Sequence, residues 1–282
     1  MISSKLVTAV TFLYLFCTVL YFNYLVFRSQ KLGSLAVLST WAALALHTAA
    51  ILARWIESYR LGFGHAPLSN MYESLVFFSW CIALIYLLWE LRLKTRVLGA
   101  FALPFAFLSI AYAALSPGVS DRIDPLIPAL QSNWLHAHVI TCFLSYASFA
   151  VSCAVSIMYL VKARREKPGG AEGGMLSLFP SLESLDSLIY KTIAVGFPLL
   201  TIGIITGSAW ANYAWGSYWS WDPKETWSLI TWFVYAVFLH ARFTREWRGK
   251  RTAILSLLGF GAVIFTYFGV NYVLSGLHSY AS

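Results

Sequence analysis

The chain has 282 residues, of which 59% are hydrophobic and only 11% are charged. Soluble globular proteins carry roughly 25% charged residues, so this composition excludes a soluble protein. A net charge of +8 would suggest a nucleic-acid partner for a soluble protein, but in a membrane protein the placement of the charges matters more than their sum. We therefore expect an integral membrane protein.

Apolar runs recur along the chain, and each is long enough to cross a hydrocarbon core of roughly 30 Å as a helix. The first run is too long and too aromatic for a signal peptide, and no small-residue cleavage site follows it, so we expect it to remain as a span. The predicted fold class is an all-α, polytopic helix bundle that forms a single membrane domain over residues 1–282. Its eight predicted transmembrane helices cover residues 6–27, 33–56, 72–91, 97–116, 134–161, 189–209, 224–244 and 252–275.

The basic residues predict the orientation of this bundle. If the amino terminus lies outside, 15 of the 20 lysines and arginines fall on the inner side, and the exceptions are Lys5, Arg54, Arg60, Arg122 and Lys224. Inner loops of membrane proteins carry the excess of positive charge, so both termini are expected on the outer side. The same count places the connection between the sixth and seventh spans outside.

Residues 162–190 form the longest predicted inner connection. It contains the sequence EKPGGAEGG at 166–174, whose glycines and charges are typical of a flexible linker. After it, Leu182, Leu185, Leu188 and Ile189 recur at helical spacing. This pattern predicts a short helix on the inner membrane surface, leading into the sixth span. In that span Gly203 and Gly207 form a small-xxx-small pair suited to close helix packing.

Few side chains in the predicted spans could carry out chemistry. The four cysteines lie within apolar spans and form no C-x-x-C pair, which argues against a thiol–disulfide carrier, a zinc site or a covalent haem attachment site. The predicted spans hold no Asp, Glu, Lys or Arg near their middles, although ion-coupled transporters usually need such groups there. The side chains that remain capable of chemistry are six histidines.

Tryptophan is concentrated in one predicted outer connection. Six of the 12 tryptophans lie between residues 210 and 232, and residues 210–226 are called the tryptophan loop below. Within it, Asp222, Pro223 and Glu225 predict a helix start with a capping box. An interfacial aromatic belt accounts for one or two indoles per helix end. So broad and flat an aromatic surface also suits a large planar ligand such as a porphyrin. The residues predicted to contact that ligand are Trp215, Trp219, Trp221, Asp222 and Trp227.

The stretch WGSYWSWDPKETWSLITW at 215–232 resembles the WWD signature of membrane proteins that handle haem during cytochrome c maturation. Other segments are similar to the CcsA (ResC-like) branch of that family, which works with a CcsB partner. They are GHAPLSNMYESLVFFSW at 64–80, NWLHAHVITCFLSYA at 133–147 and GVNYVLSGLHSY at 269–280. The resemblance covers nearly all of the chain from about Leu46 onward, and it implies that haem b is both substrate and ligand.

Two histidines are expected to hold an outer haem, because neutral imidazole is a standard axial ligand of haem iron. The predicted topology places His138 near the outer start of the fifth helix and His278 just beyond the outer end of the eighth. The resemblance assigns the same pair, through a W-L-x-x-H motif that ends at His138 and a G-L-H-S-Y motif that contains His278. His136 points about 200° away from His138 on a helix, so one iron cannot easily take both.

His240 is expected to have a different role. It lies 17 residues after Pro223, roughly 26 Å along a helix, so it approaches the inner surface and cannot bind the outer iron. The resemblance implies that it binds a second haem within the membrane, whose other ligand comes from the partner. The alternative is a histidine that reaches the inner headgroups beside Arg242.

The other two histidines are left out of the predicted site. His47 falls in the middle of the second span, where a hydrogen bond between helices explains it as well as ligation does. His65 lies in an outer turn, next to a second predicted capping box formed by Asn70 and Glu73.

The resemblance implies a specific activity, that of the haem-binding subunit of a system II cytochrome c synthase. With a CcsB-type partner, such a haem lyase attaches haem to the C-x-x-C-H segment of apocytochrome c. The expected location is a bacterial inner membrane or a thylakoid membrane, with the tryptophan loop facing the periplasm or lumen. The haem propionates would need cationic partners, and Lys224 and Arg122 are the candidates in the nearby outer loops.

Two alternatives remain. The first is a haem delivery protein of the CcmC type, which presents haem to a chaperone and forms no thioether bond. The second is a transporter or an assembly scaffold whose tryptophans form only an interfacial belt.

Overall fold

A computed structural model describes residues 1–165 and 174–274 of the protein. This part of the chain contains helices and connections but no strand, as predicted for an all-α protein. The principal helices are α1 (Ile2–Phe27), α2 (Gln30–Arg60), α3 (Met71–Leu93), α4 (Gly99–Leu115), α5 (Asn133–Arg165), α6 (Leu182–Trp215), α7 (Pro223–Thr244) and α8 (Lys250–Ile264). A π-helical turn, Phe265–Gly269, and a further helical turn, Val270–Val273, continue α8.

Within the described residues, seven helical segments are long and apolar enough to cross a membrane, so the chain is a multi-pass membrane protein. Each of the eight predicted spans overlaps one principal helix, and the last of these is continued by the π-helical turn and Val270–Val273. The helix that is not among the seven is α7, because the charges in its first turn together with His240 and Arg242 near its end lower its mean hydropathy. That α7 crosses the membrane stays a prediction.

The chain divides into two compact units. Unit 1 comprises Met1–Pro125 and Leu160–Ser184, and unit 2 comprises Leu126–Tyr159 and the chain from Leu185 onward. Unit 1 contains α1 to α4, in which α1 packs on α2 and α4, while α3 packs on α4 and α2. Unit 2 contains most of α5 and α6, together with α7 and α8. The single membrane domain stays a prediction.

A buried ion pair joins three parts of unit 1. Arg54, near the end of α2, donates from Nε to Oε1 of Glu73 on α3 at 2.7 Å, and both residues are 2% exposed. The same guanidinium donates to the carbonyl oxygens of Asp121 and Arg122, each at 2.9 Å. The second Glu73 oxygen accepts hydrogen bonds from the N–H and the hydroxyl of Ser69. Arg54 therefore connects α2, the start of α3 and the connection after α4.

The start of α3 differs in part from the predicted capping box. Oδ1 of Asn70 accepts a hydrogen bond from the Glu73 N–H at 2.9 Å, as expected for an N-cap. The Glu73 carboxylate does not complete the box, because Arg54 and Ser69 bind it instead. Nearby, the ring nitrogens of buried His65 lie 3.0 Å from the carbonyl oxygens of Ala66 and Asp124. His65 therefore has a structural role in this turn.

The predicted surface helix over residues 182–189 belongs to α6, which is continuous from Leu182 to Trp215. Its apolar side chains are not available to a membrane surface, because Leu185, Leu188 and Ile189 are buried within the protein. Asp186, on the same two turns, accepts hydrogen bonds from Arg242 at 2.6 Å, from the Gly249 N–H at 2.7 Å and from Thr252 at 2.9 Å. This carboxylate joins α6 to the end of α7 and the start of α8.

Replacing Asp186 with asparagine should lower the free energy of unfolding by about 1–3 kcal/mol, because the half-buried Arg242 guanidinium loses its charged partner while an amide oxygen still accepts a hydrogen bond. Thermal melting of the detergent-solubilised protein would measure the change. Glu183→Gln, one turn away on α6 and exposed, is the control and should melt like wild type. An unchanged melting temperature for Asp186→Asn would contradict the assignment of a joining role.

Candidate functional site

The tryptophan loop is a short connection between two helix ends. Trp210–Trp215 are the last turns of α6, residues 216–222 form the connection, and α7 begins at Pro223. Gly216, at φ 76°, adopts a left-handed conformation that glycine tolerates without strain, and it ends α6. The Ser208 hydroxyl on α6 donates to the Tyr218 carbonyl oxygen at 2.7 Å. The connection is thus tied back to the helix it leaves.

The predicted capping box at the start of α7 is confirmed. Oδ1 of Asp222 accepts a hydrogen bond from the Lys224 N–H at 2.9 Å. Oε2 of Glu225 accepts from the Asp222 N–H at 3.2 Å and from the Ser220 N–H at 2.7 Å. Asp222 is buried, and its side chain serves as a helix cap. A contact between Asp222 and a ligand would be a second role, and it stays a prediction.

Trp221 has an unusual backbone conformation between these two hydrogen bonds. Its φ is 58°, in the left-handed region that residues other than glycine and asparagine rarely adopt. Its indole is 68% exposed and meets the Trp219 ring edge-on, with 5.7 Å between ring centroids. Because Glu225 holds the N–H groups of both neighbours, Ser220 and Asp222, it fixes the backbone that presents this indole.

His138 packs against α6 at the same end as the tryptophan loop. Its Nδ1 lies 2.7 Å from the carbonyl oxygen of Gly203. Its ring is nearly parallel to that of Trp210, with 6.0 Å between centroids and 16° between planes. Trp210 in turn meets Trp215 edge-on at 5.0 Å and donates from Nε1 to the Ala129 carbonyl oxygen. The imidazole therefore packs in one group of rings with Trp210 and Trp215 of the tryptophan loop.

Trp227 contacts the end of the last helix. Its ring lies 4.1 Å from that of Phe265, in the π-helical turn, and its carbonyl oxygen accepts a hydrogen bond from Thr266. The second turn of α7 and the π-helical turn that follows α8 are thus in contact. π-Helical turns often mark functional positions in helices. His278, the predicted second ligand of the outer haem, lies outside the described residues.

The other histidines occupy distinct environments. His240 is exposed on α7, in line with the exposed side chains of Ile230, Phe233 and Val237. His136, half-buried on α5, lies two residues before His138 and so on another face of the helix. His47 is fully buried in unit 1, where its Nδ1 lies 3.1 Å from the Tyr14 hydroxyl. This contact joins α1 and α2, and it is the hydrogen bond between helices that was the alternative to ligation for His47.

The sequence did not predict three residues that contact His138 or determine its surroundings. Trp210 was counted in the aromatic cluster but not as the ring beside the histidine. Gly203 and Gly207 were interpreted only as a helix-packing pair. Of the two candidate propionate partners, Lys224 lies in the first turn of α7 and Arg122 is exposed in unit 1.

The chain belongs to the family of cytochrome c assembly proteins, because residues 68–278 match the family model described as "Cytochrome C assembly protein". Its role is therefore in cytochrome c maturation. Among curated relatives, the chain is similar to proteins named cytochrome c biogenesis protein CcsA. The protein from Chlamydomonas reinhardtii is 45% identical over 82% of this chain and 64% of its own length, so the chain spans just under two thirds of that relative.

Further relatives are covered more fully. CcsA from Guillardia theta is 45% identical over 86% of this chain and 84% of its own length. CcsA from Gloeobacter violaceus is 39% identical over 90% of this chain and 88% of its own length. The predicted resemblance to the CcsA branch is therefore confirmed.

Comparison with solved structures also supports the fold. One match is described as cytochrome c heme lyase CcmF and superposes with a TM-score of 0.72 at 17% sequence identity. The match covers 94% of this chain but only 46% of that one. At this identity the likeness supports the helical fold alone.

Proposed function

We propose that this chain is the haem-binding subunit of a system II cytochrome c synthase. Haem passes to the outer face of the membrane, where His138 and His278 bind its iron and the tryptophan loop contacts its porphyrin plane. There the haem is attached covalently to apocytochrome c, with a CcsB-type protein as partner. The membrane is a bacterial inner membrane or a thylakoid membrane, and both termini of the chain lie on the outer side.

The observation that carries this proposal is the environment of His138. A carbonyl oxygen can only accept a hydrogen bond, so Nδ1 of His138 carries a proton where it meets Gly203. In the neutral imidazole the lone pair is then on Nε2, the form that ligates iron. Histidines that bind metals usually donate their other N–H to a carbonyl or a carboxylate. Buried Trp210 and half-buried Trp215 pack beside this ring and connect it to the tryptophans that are proposed to contact the porphyrin.

The attachment reaction requires little from the protein beyond positioning. Each cysteine S–H of the C-x-x-C-H segment adds across one vinyl C=C of haem, so that an S–C bond and a C–H bond form. The addition is balanced without an oxidant or a reductant. Holding thiol and vinyl in contact removes the entropic cost of their encounter, which is worth roughly 7–11 kcal/mol in well-oriented intramolecular reactions. The histidine of the apocytochrome then replaces one of the axial imidazoles.

The exposure of His240 supports a second haem shared with the partner. The His240 imidazole is exposed on the same face of α7 as Phe233 and Val237, so it is accessible to a haem whose second axial ligand comes from another chain. The same apolar face would pack against the partner's helix. We assign His240 to this haem rather than to the outer one.

The test is to co-express the full chain, a CcsB-type partner and an apocytochrome c in a host without its own cytochrome c maturation. Covalent haem on the denatured cytochrome and the visible spectrum of the purified complex are measured. His138→Ala and His278→Ala should each abolish covalent attachment and weaken the same haem. His240→Ala should weaken a different haem. His136→Ala, on the same helix as His138, is the matched control and should behave like wild type.

Each other outcome points to a specific alternative. Equal loss of one haem species in all three variants would refute two sites. Haem that binds the wild-type complex but is never attached to the apocytochrome would favour a delivery protein. A purified complex without Soret absorbance would favour a transporter or a scaffold.

A further inference from the structure

We propose that Gly203 and Gly207 of α6 are positioning residues for His138, which fix the tautomer and the ring plane of its imidazole for iron binding. This inference rests on the proposed role of His138 as an iron ligand, and it adds the residues that prepare that ligand. Both glycines, His138 and Trp210 lie within unit 2.

Gly207 provides the space that the imidazole occupies. A Cβ atom at position 207 would lie 2.5 Å from Nδ1 and 2.7 Å from Cε1 of His138. Ordinary contacts between such atoms are about 3.5–4.0 Å, so even alanine would have to displace the ring or separate the helices. Position 207 lies inside α6, so glycine is needed here for space and not for a left-handed backbone.

Gly203 brings the two helices close enough to supply the acceptor. A Cβ atom at 203 would lie 2.5 Å from Sγ and 3.3 Å from the backbone nitrogen of Cys142 on α5. This close approach places the Gly203 carbonyl oxygen 2.7 Å from Nδ1 of His138. The carbonyl thereby keeps the proton on Nδ1 and the lone pair on Nε2.

The two glycines act together with Trp210. Residues 203, 207 and 210 are spaced by four and three positions, so they share one face of α6. From this face His138 receives a hydrogen-bond acceptor, a space for its ring and a parallel aromatic plane. A ligand held in this way loses little conformational freedom when it binds iron. Removing such support from a metal-binding histidine typically costs about 10- to 100-fold in metal affinity.

The contact between α5 and α6 offers a matched control further along the same helices. A Cβ atom at Gly196 would lie 2.7 Å from Cε1 of Phe149, and the Gly196 carbonyl oxygen accepts a hydrogen bond from Ser145 at 2.8 Å. Gly196→Ala thus introduces a similar clash away from His138. Gly261, on α8, has no atom within 4 Å of its would-be Cβ, so Gly261→Ala is a neutral reference.

The experiment uses the full chain purified with its CcsB-type partner and titrated with haem. Gly207→Ala should weaken binding of the outer haem by about 10- to 100-fold. It should also shift the midpoint potential of that haem to more positive values, because His138 becomes a weaker base when it loses its hydrogen bond. The EPR g-values of the low-spin ferric haem should change, because they depend on the planes of the axial imidazoles. Gly196→Ala should lower the melting temperature and leave all three haem properties unchanged.

Wild-type affinity, potential and g-values in a folded Gly207→Ala complex would overturn the inference. The same changes in Gly196→Ala would also overturn it, because they would reduce the effect to general helix packing. His138→Gly separates this inference from the proposed function. If His138→Gly retains the outer haem, the proposed function is refuted. If His138→Gly loses the outer haem but Gly207→Ala binds it like wild type, only the positioning role is refuted.

Should Gly207→Ala fail to accumulate, the double variant Gly207→Ala, His138→Gly provides the second measurement. Removing the imidazole removes the atoms that the new Cβ would meet, so the double variant should accumulate as His138→Gly does. Added imidazole should then restore haem binding in His138→Gly but restore it less well in the double variant, because the Cβ at position 207 occupies part of the space that the imidazole needs. A double variant that still fails to accumulate would show that the clash is not with His138.

Discussion

Replacing Arg54 with alanine should lower the free energy of unfolding by about 3–5 kcal/mol, because it leaves the Glu73 carboxylate as a buried charge without its partner. The guanidinium also donates to the carbonyl oxygens of Asp121 and Arg122, which would lose these donors. Since whole domains are stable by only about 5–15 kcal/mol, we expect little of the variant to accumulate in the membrane. The measurements are the amount of membrane-integrated protein and the melting temperature after solubilisation.

Two further variants separate charge from shape. Arg54→Lys should be nearly as damaging as alanine, because an ammonium cannot reproduce the planar set of donors that reaches three acceptors. Arg54→Met combined with Glu73→Leu should be much less damaging than either single change, because no charge is then left buried. Arg60→Ala, at the exposed end of the same helix, is the control. Normal accumulation and melting of Arg54→Ala would show that the ion pair is not required.

Replacing Glu225 with alanine should reduce covalent haem attachment by about tenfold or more, with a loss of about 2–4 kcal/mol in the stability of the helix start. This range combines a lost helix cap with a buried N–H left without an acceptor. Glu225 accepts hydrogen bonds from the backbone of Ser220 and Asp222, so its removal releases Trp221 between them. The measurement is covalent haem on the apocytochrome relative to the amount of the variant in the membrane.

Glu225→Gln is the matched control, because glutamine keeps an acceptor oxygen of the same reach and also completes capping boxes. It should retain most of the attachment activity. Ser220→Ala removes only the long hydroxyl contacts to Glu225, at 3.3 and 3.4 Å, and should have little effect. If Glu225→Ala attaches haem at the wild-type rate, the conformation of the tryptophan loop does not depend on this carboxylate.

The sequence predicted the features that depend on neighbouring residues. Apolar runs located all eight helices, and the order of Asp222, Pro223 and Glu225 located the start of α7. Hydropathy could not predict how far α5 and α6 extend. Their polar ends continue as helix because contacts stabilise them, such as those of Lys162 with Pro180 and of Asp186 with Arg242.

The parts of the site that depend on helix pairing could not be predicted. The Gly203 carbonyl that binds His138 is 65 residues away in sequence, and only the packing of α5 on α6 brings the two together. The same limitation applies to Glu73, whose capping role is a local pattern but whose ion pair with Arg54 depends on how α2 and α3 pack. The glycine spacing in α6 indicated a close approach without identifying which side chain it accommodates.

The left-handed backbone conformation at position 221 makes tryptophan an energetically unfavourable residue there. Folding alone favours glycine at such a dihedral angle, since a larger residue there costs roughly 1–2 kcal/mol. The chain nevertheless carries a tryptophan, the largest amino acid, at this position, and most of its side chain is exposed. Under the proposed function, position 221 is a place where thermostability and activity make opposite demands, and a screen for more stable variants would be expected to replace this tryptophan early.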